Sequence, residues 1–91
     1  MNSALAIARQ VVADEAEALR QLTASFGADF EAILNTLLAS NGQIVVSGLG
    51  KSGNIAQKIA ASLTSTGTPA VFMHPVEALH GDLGIVTSRN C

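Results

Sequence analysis

The chain has 91 residues, 48% of them apolar, and a formal net charge of −2 without any run of Lys or Arg. This length allows one small domain at most. The sequence has no basic patch of the kind that binds nucleic acid, and no apolar run approaches the ~20 residues that span a bilayer. The single cysteine, Cys91, cannot form an internal disulfide, and the N-terminus lacks a signal-peptide pattern. We therefore expect a cytoplasmic, soluble protein and assign Cys91 no function.

The first part of the chain predicts two helices. Apolar side chains recur at helical spacing from Ser3 to about Phe26, with Ser3 as N-cap and Gly27 as the stop. A second helix is predicted from Asp29 to Ala39, with Asp29 as its N-cap. We treat residues 1–42 as a helical lead-in to a second part, 43–91.

The second part predicts a β-α-β unit followed by a histidine loop. Three consecutive β-branched or apolar residues suit a strand at Gln43–Ser47 that is buried on both faces, as in a parallel sheet. A glycine-rich turn follows, and a helix is expected from Ser52 or Gly53 to Thr66. A second strand is expected at Ala70–Met73. The sequence therefore predicts an α/β fold with a right-handed crossover.

The turn between the first strand and this helix contains the highest concentration of residues suited to binding a ligand. Its sequence, SGLGKSG, runs from Ser47 to Gly53 and includes Gly48, Gly50, Lys51 and Ser52. A helix N-terminus carries partial positive charge and unpaired N–H groups, and glycines let an anion approach the backbone closely. Lys51 adds a full charge. The turn therefore predicts anion binding, most simply of a phosphate.

Three kinds of phosphate site share such a loop. The three glycines match G-x-G-x-x-G, but the second strand ends at His74 rather than at the acid of a dinucleotide site. The run Gly50-Lys51-Ser52 matches the end of a P-loop, but the first glycine of that motif falls at Val45. A compact sugar-phosphate site fits the loop length best. A glycine turn without any ligand is the remaining alternative.

A second constellation follows the second strand, from His74 to Gly84. Ligands of open α/β sheets bind beyond the carboxyl ends of the strands, so this loop and the glycine loop should share one edge. Imidazole can exchange a proton near neutral pH, which makes His80 a candidate acid or base. Glu77 and Asp82 lie nearby in sequence. A zinc site is the rival hypothesis, but the six-residue spacing of the two histidines and the lack of nearby cysteine do not favour it.

Together these segments resemble a known family. GLGKSG, the helix NIAQKIAASLTSTGTPA, the strand VFMHP and the run EALHGDLG are similar to the SIS (sugar isomerase) domain, and more narrowly to arabinose-5-phosphate isomerases. The match is dense from about Val45 to Val86. The family often has His after G-K-S-G, where this chain has Asn54. The resemblance implies a three-layer α-β-α sandwich around a parallel sheet, incomplete in this chain.

The resemblance also implies an activity. Family members interconvert D-arabinose 5-phosphate and D-ribulose 5-phosphate for lipopolysaccharide or capsule sugar synthesis, through an enediol and without a cofactor or metal. It implies that Lys51 and His80 are catalytic, with His80 acting in a neighbouring subunit's site of a homo-oligomer, a tetramer in the family. The residues that it implies for substrate binding are Gly48, Gly50, Lys51, Ser52, Gly53, Asn54, His74 and Asp82.

The chain length sets further expectations. Family members continue into a third strand and a second, serine-rich phosphate loop, so we expect an amino-terminal fragment of a SIS domain with little or no isomerase activity alone. A sheet of two parallel strands leaves faces and edges uncovered, which predicts marginal stability or association. The alternative function is a non-catalytic sugar-phosphate-binding module of a regulator.

Overall fold

The computed structural model describes residues 3–91. Contacts divide the chain into two compact units, one ending at Ile33 and the other running from Leu34 to Cys91. The elements in chain order are α1 (Ala4–Leu22), a 3-10 turn (Thr23–Ser25), α2 (Ala28–Ala39), β1 (Ile44–Val46), α3 (Gly50–Ser65), β2 (Ala70–Phe72), α4 (Pro75–Ala78) and a second 3-10 turn (Asp82–Ile85). No helix in the described part of the chain is long and apolar enough to cross a membrane.

Helix α1 begins where the sequence predicts and ends earlier. Ser3 is its N-cap, because the Ser3 hydroxyl accepts a hydrogen bond from the N–H of Ala6 at 3.1 Å. The α-helical part ends at Leu22 rather than near Phe26. The hydroxyl of Ser25 donates to the carbonyl of Leu22 at 2.7 Å, and the chain tightens into a 3-10 turn there.

The boundary between α1 and α2 differs from the prediction at two residues. The N–H of Glu31 donates to the carbonyl of Gly27 at 3.2 Å, so Gly27 takes the N-cap position of α2. Asp29 therefore lies within the first turn and is not the cap. Its charge favours the helix N-terminus from either position, which is why sequence alone misplaced it.

The two strands pair in parallel, which confirms the predicted α/β class. Ile44 lies opposite Ala70, and Val46 opposite Phe72. Both strands are shorter than predicted, since the hydrogen-bond ladder has strand geometry only over three residues in each. On the outer side of β2, the hydroxyl of Thr64 donates to the carbonyl of Ala70 at 3.0 Å.

A small core lies between the sheet and α3. Its apolar members are Ile44, Ala56 and Ala60, with exposures of 7%, 4% and 5%. Alanine at two positions one helical turn apart lets the helix approach the strands closely. The position of α3 over both strands therefore fixes the loop that joins β1 to it.

The other edge of β1 is also hydrogen-bonded. The N–H of Cys91 donates to the carbonyl of Gln43 at 3.1 Å, and the N–H of Val45 donates to the carbonyl of Cys91 at 2.6 Å. This alternation is that of a parallel pair. A Cβ added at Gly42 would lie 2.6 Å from the carbonyl oxygen of Arg89, so Gly42 permits this approach. The backbone of Cys91 thus has a structural role that the sequence did not predict.

Many large apolar side chains are exposed. None of the residues of α1 is buried. On this helix the exposed large apolar side chains are Leu5, Ile7, Val11, Val12, Leu19 and Leu22. The predicted tendency to associate or to be marginally stable stays a prediction.

Candidate functional site

The glycine loop leads directly into the first turn of α3. Leu49 is extended and forms the N-cap, and the N–H of Gly53 donates to the carbonyl of Leu49 at 3.1 Å. The helix begins at Gly50, earlier than the predicted Ser52 or Gly53, because Gly50 adopts a φ of +56° that turns the chain into the helix at once. Lys51 and Ser52 therefore lie within the first turn, where N–H groups have no partner inside the helix.

Two glycines bring the end of β1 against this turn. A Cβ at Gly53 would lie 2.6 Å from the carbonyl oxygen of Gly48, and a Cβ at Gly48 would lie 3.0 Å from the carbonyl of Ser52. Gly53 is buried. Since the opposing atoms belong to the backbone, no side-chain rotation could relieve either contact. Both positions therefore require glycine for close approach and not for an unusual φ.

A cavity of about 450 Å³ opens beside this loop. It is lined by Gly48, Gly50, Lys51, Gly53, Asn54, Gln57, Phe72 and His74. Six of the nine residues predicted for the site are among these, so the structure brings the glycine loop and the start of the histidine loop together. Among the described residues that line the cavity, Lys51 is the one whose side chain carries a formal charge, and that charge is positive.

Three predicted site residues do not line this cavity. Ser52 is exposed on the first turn of α3, whereas His80 and Asp82 lie beyond α4 and are also exposed. The N–H of His80 donates to the carbonyl of Glu77 at 3.0 Å, and Gly81 follows with a φ of +121°. This glycine serves the turn geometry, and a Cβ built on it meets open space. The roles assigned to the three residues stay predictions.

Two lining residues were missed by the sequence analysis. Gln57 lies four residues after Gly53 and three after Asn54, so it shares their face of the helix. That spacing was the available signal for Gln57. Phe72 is the last residue of β2, and its ring lies 3.7 Å from a Cβ built on Gly53. An aromatic residue at a strand end is usually a core residue, so nothing in the sequence marked it.

The carboxyl ends of the two strands are tied together at the cavity. The hydroxyl of Ser47, directly after β1, donates to the carbonyl of Met73, directly after β2. The next residue, His74, is the N-cap of α4, and its Nδ1 accepts a hydrogen bond from the N–H of Val76 at 3.1 Å. The rings of His74 and Phe72 meet edge to face, with centroids 6.3 Å apart. His74 is therefore held in one orientation beside the glycine loop.

The arrangement can bind an anion. The first turn of α3 and the Lys51 ammonium are positive, and within residues 3–91 no carboxylate lines the cavity. Asn54 and Gln57 offer amide donors and acceptors of the kind that bind hydroxyl groups. Within residues 3–91, no three His, Cys, Asp or Glu side chains are grouped to hold a metal ion.

Comparison with known proteins gave consistent matches. A family model described as SIS domain matches residues 37–91. Arabinose 5-phosphate isomerase GutQ of Escherichia coli K12 is 52% identical over 82 residues, which are 90% of this chain and 26% of that protein. Arabinose 5-phosphate isomerase KdsD of Pseudomonas aeruginosa is 49% identical over 80 residues, 88% of this chain and 24% of that protein.

A solved structure also matches. A protein of Escherichia coli CFT073 in complex with a sugar phosphate has a TM-score of 0.88 and 37% sequence identity, and the match covers 99% of this chain and 49% of that one. This chain thus spans about a quarter of the length of the curated relatives and about half of the solved chain. These matches confirm the resemblance that the GLGKSG and HGDLG segments indicate.

Proposed function

The chain belongs to the SIS domain family, and we propose that its cavity binds a sugar phosphate for an aldose–ketose isomerisation. The observation that carries the proposal is the cavity itself, which is lined by Lys51, by the start of α3 and by His74 at the ends of two parallel strands. The substrate pair that we propose is D-arabinose 5-phosphate and D-ribulose 5-phosphate. Two relatives are named as arabinose 5-phosphate isomerases, and the solved relative holds a sugar phosphate.

The phosphate group would lie at the first turn of α3. Backbone N–H groups at a helix N-terminus and a nearby ammonium are the donors that bind phosphate in proteins. Gly50, beside which a Cβ would meet nothing within 4 Å, leaves space for the phosphate oxygens to reach the backbone, and the close contact of Gly48 with Gly53 holds the loop against the helix. The hydroxyl of Ser52, on the same turn, would add a contact if it rotates toward the ligand. The sugar would then extend along the cavity toward Asn54 and His74.

The chemistry needs a base that removes a proton beside the carbonyl and an acid or cation that stabilises the developing enediolate. We propose that Lys51 supplies positive charge to the oxygen that becomes negative. His80 is the proposed acid or base, with Asp82 beside it in the same loop. Both are exposed outside this cavity, so we propose that they serve the site of a second subunit in a homo-oligomer. No cofactor is required for this reaction.

The isomerase activity is proposed for the whole protein, of which we propose that this chain is the amino-terminal half of the SIS domain. The second candidate function is a sugar-phosphate-binding module without turnover. The separation of His80 from the cavity favours it, because the residues that line the cavity include binding groups and only one imidazole. Both functions require binding, and only the first requires interconversion of the two sugar phosphates.

Binding is tested by titration calorimetry with D-arabinose 5-phosphate, comparing the protein with its Lys51→Met variant. A charge-assisted hydrogen bond contributes about 1.5–3 kcal/mol, so we expect affinity to fall about 10- to 150-fold. Lys58→Met is the matched control, since Lys58 is exposed on the same helix and does not line the cavity. Equal affinity of the Lys51→Met variant would contradict the proposed phosphate site.

Turnover is tested separately in the whole protein, of which we propose that this chain is one part, by following ribulose 5-phosphate formation with and without the His80→Gln substitution. The isomerase hypothesis predicts product that is lost in the variant. Binding without any product would favour the second candidate. Unphosphorylated D-arabinose should neither bind nor compete, because it lacks the group that the helix N-terminus and Lys51 recognise.

A further inference from the structure

Both the backbone and the side chain of His74 are constrained at the edge of the cavity. Its backbone is extended, with φ −70° and ψ 130°, as expected for a residue that precedes proline. Its side chain caps the short helix α4 through Nδ1, which accepts the N–H of Val76. Within residues 3–91, the structure records no hydrogen bond to the other ring nitrogen, Nε2. His74 is nevertheless one of the residues that line the cavity.

The capping bond determines which nitrogen carries the proton. A neutral imidazole has one N–H donor and one acceptor nitrogen, and the partner of one nitrogen decides the state of the other. Because the backbone N–H of Val76 is a donor, Nδ1 must present a lone pair to it. The proton of a neutral His74 is therefore on Nε2. A doubly protonated ring could not accept this bond.

From this geometry we propose that His74 donates a hydrogen bond from Nε2–H to an oxygen of the bound sugar phosphate, and that it is not the base of the reaction. The inference rests on the proposed function, because it concerns the same ligand. It assigns His74 the role of a fixed neutral donor. A base would need a free lone pair toward the substrate, and the lone pair of His74 is directed at the backbone N–H of Val76.

The neighbouring contacts keep this donor in place. The Ser47 hydroxyl anchors the Met73 carbonyl, one residue before His74, to the end of β1. Phe72 supports the ring edge to face. Pro75, at the first position of α4, restricts the backbone that leads into the helix. The imidazole thus has few orientations to lose when a ligand binds, which makes it an effective recognition group.

The donor also fits the other groups of the cavity. Lys51 supplies three N–H donors and His74 would supply one more, whereas the part of the chain that the structure describes contributes no carboxylate to the cavity. A site rich in donors suits a ligand whose polar atoms are oxygens with lone pairs, such as phosphate, carbonyl and hydroxyl oxygens. Asn54 and Gln57 are the lining side chains with acceptor oxygens, which are available to sugar hydroxyl protons.

The tautomer is tested directly by long-range proton–nitrogen NMR correlation spectra of ¹⁵N-histidine-labelled protein at mildly alkaline pH. The chain has two histidines, and the His80→Gln variant assigns the remaining signal to His74. We expect the pattern of an Nε2–H imidazole for His74, with Nδ1 as the unprotonated nitrogen. A signal from Nδ1–H, or an averaged mixture like that of a free imidazole, would overturn the proposal.

Two substitutions separate capping from donation. Asparagine caps helices well but is too short to reach where Nε2 lies, whereas glutamine places an amide N–H near Nε2 and is a poor cap. For His74→Asn we expect an unchanged unfolding midpoint and about 2- to 12-fold weaker binding of D-arabinose 5-phosphate, the range for one neutral hydrogen bond. For His74→Gln we expect the reverse, with a lower unfolding midpoint and nearly unchanged affinity.

The outcomes distinguish this inference from the proposed function. If the wild-type protein binds no sugar phosphate, both fail, whatever the NMR spectra show. If the wild-type protein binds and His74→Asn binds equally well, only the donor role of His74 is wrong. Loss of affinity in His74→Asn, together with its retention in His74→Gln and the Nε2–H pattern, would support the donor role.

Discussion

Replacing Gly53 by alanine tests whether close backbone contact shapes the site. The added Cβ would lie 2.6 Å from the carbonyl oxygen of Gly48, where real contacts are essentially never under 3.0 Å, so the loop or the helix must move by about 0.4 Å. Overpacking of this kind costs about 1–3 kcal/mol, and a fixed backbone atom favours the upper half of that range. Alanine in a helix gains about 1 kcal/mol over glycine. We therefore expect a net loss of about 1–2 kcal/mol in the free energy of unfolding.

The assay is urea denaturation followed by far-UV circular dichroism, with sugar-phosphate affinity measured on the same samples. Affinity should fall too, because Gly48 and Gly53 both line the cavity. Gly84→Ala is the matched control: a Cβ there meets nothing within 4 Å and the φ is not positive, so we expect a change within about 0.5 kcal/mol. If Gly53→Ala were as stable as Gly84→Ala and bound ligand equally, close backbone contact at Gly53 would not be what shapes the site.

Three further substitutions follow from single contacts, each checked by urea denaturation. Ser47→Ala removes the donor to the Met73 carbonyl and should cost about 1 kcal/mol; no loss would mean that water replaces the hydroxyl at no cost. Ala60→Leu should cost about 1–3 kcal/mol because position 60 is 5% exposed, whereas Ala61→Leu, at an exposed position, should be nearly neutral; equal effects would contradict the packing of α3. Ser3→Ala should lower the free energy of unfolding by about 1 kcal/mol, whereas Ser3→Asp should change it very little, because aspartate also caps a helix. Equal losses in the two variants would contradict the capping role of Ser3.

The fold was predictable where local patterns are strong. Hydrophobic periodicity located three long helices, and the β-branched run at β1 predicted a buried parallel strand. Helix starts were less predictable, because whether Gly27 and Gly50 end one element or begin a helix depends on the backbone of their neighbours. Glycine is strongly favoured just after the end of a helix and only modestly at an N-cap. The sequence therefore assigned Gly27 to the end of α1 and placed the start of α3 too late.

The part of the site that the sequence predicted well lies on the glycine loop. The glycines and Lys51 are adjacent in sequence and reach the cavity together with His74, as the shared edge of parallel strands requires. Phe72 reaches it through the packing of α3 on β2, which no short motif encodes, whereas the helical spacing of Gln57 to Gly53 and Asn54 was a signal that the sequence offered. His80 follows His74 by six residues, yet α4 and the turn after it separate the two.

The hydrogen bond from the hydroxyl of Thr64 bears on how the outer edge of β2 could pair with a strand of another molecule in a concentrated solution. In a parallel pair, backbone groups alternate sides, so the Ala70 carbonyl points away from β1 toward the outer margin of the sheet. Such a carbonyl is where a strand from another molecule could begin to pair and seed a fibril. Because the hydroxyl of Thr64 already donates to this carbonyl, this one acceptor of the edge strand is less available to a strand from another molecule.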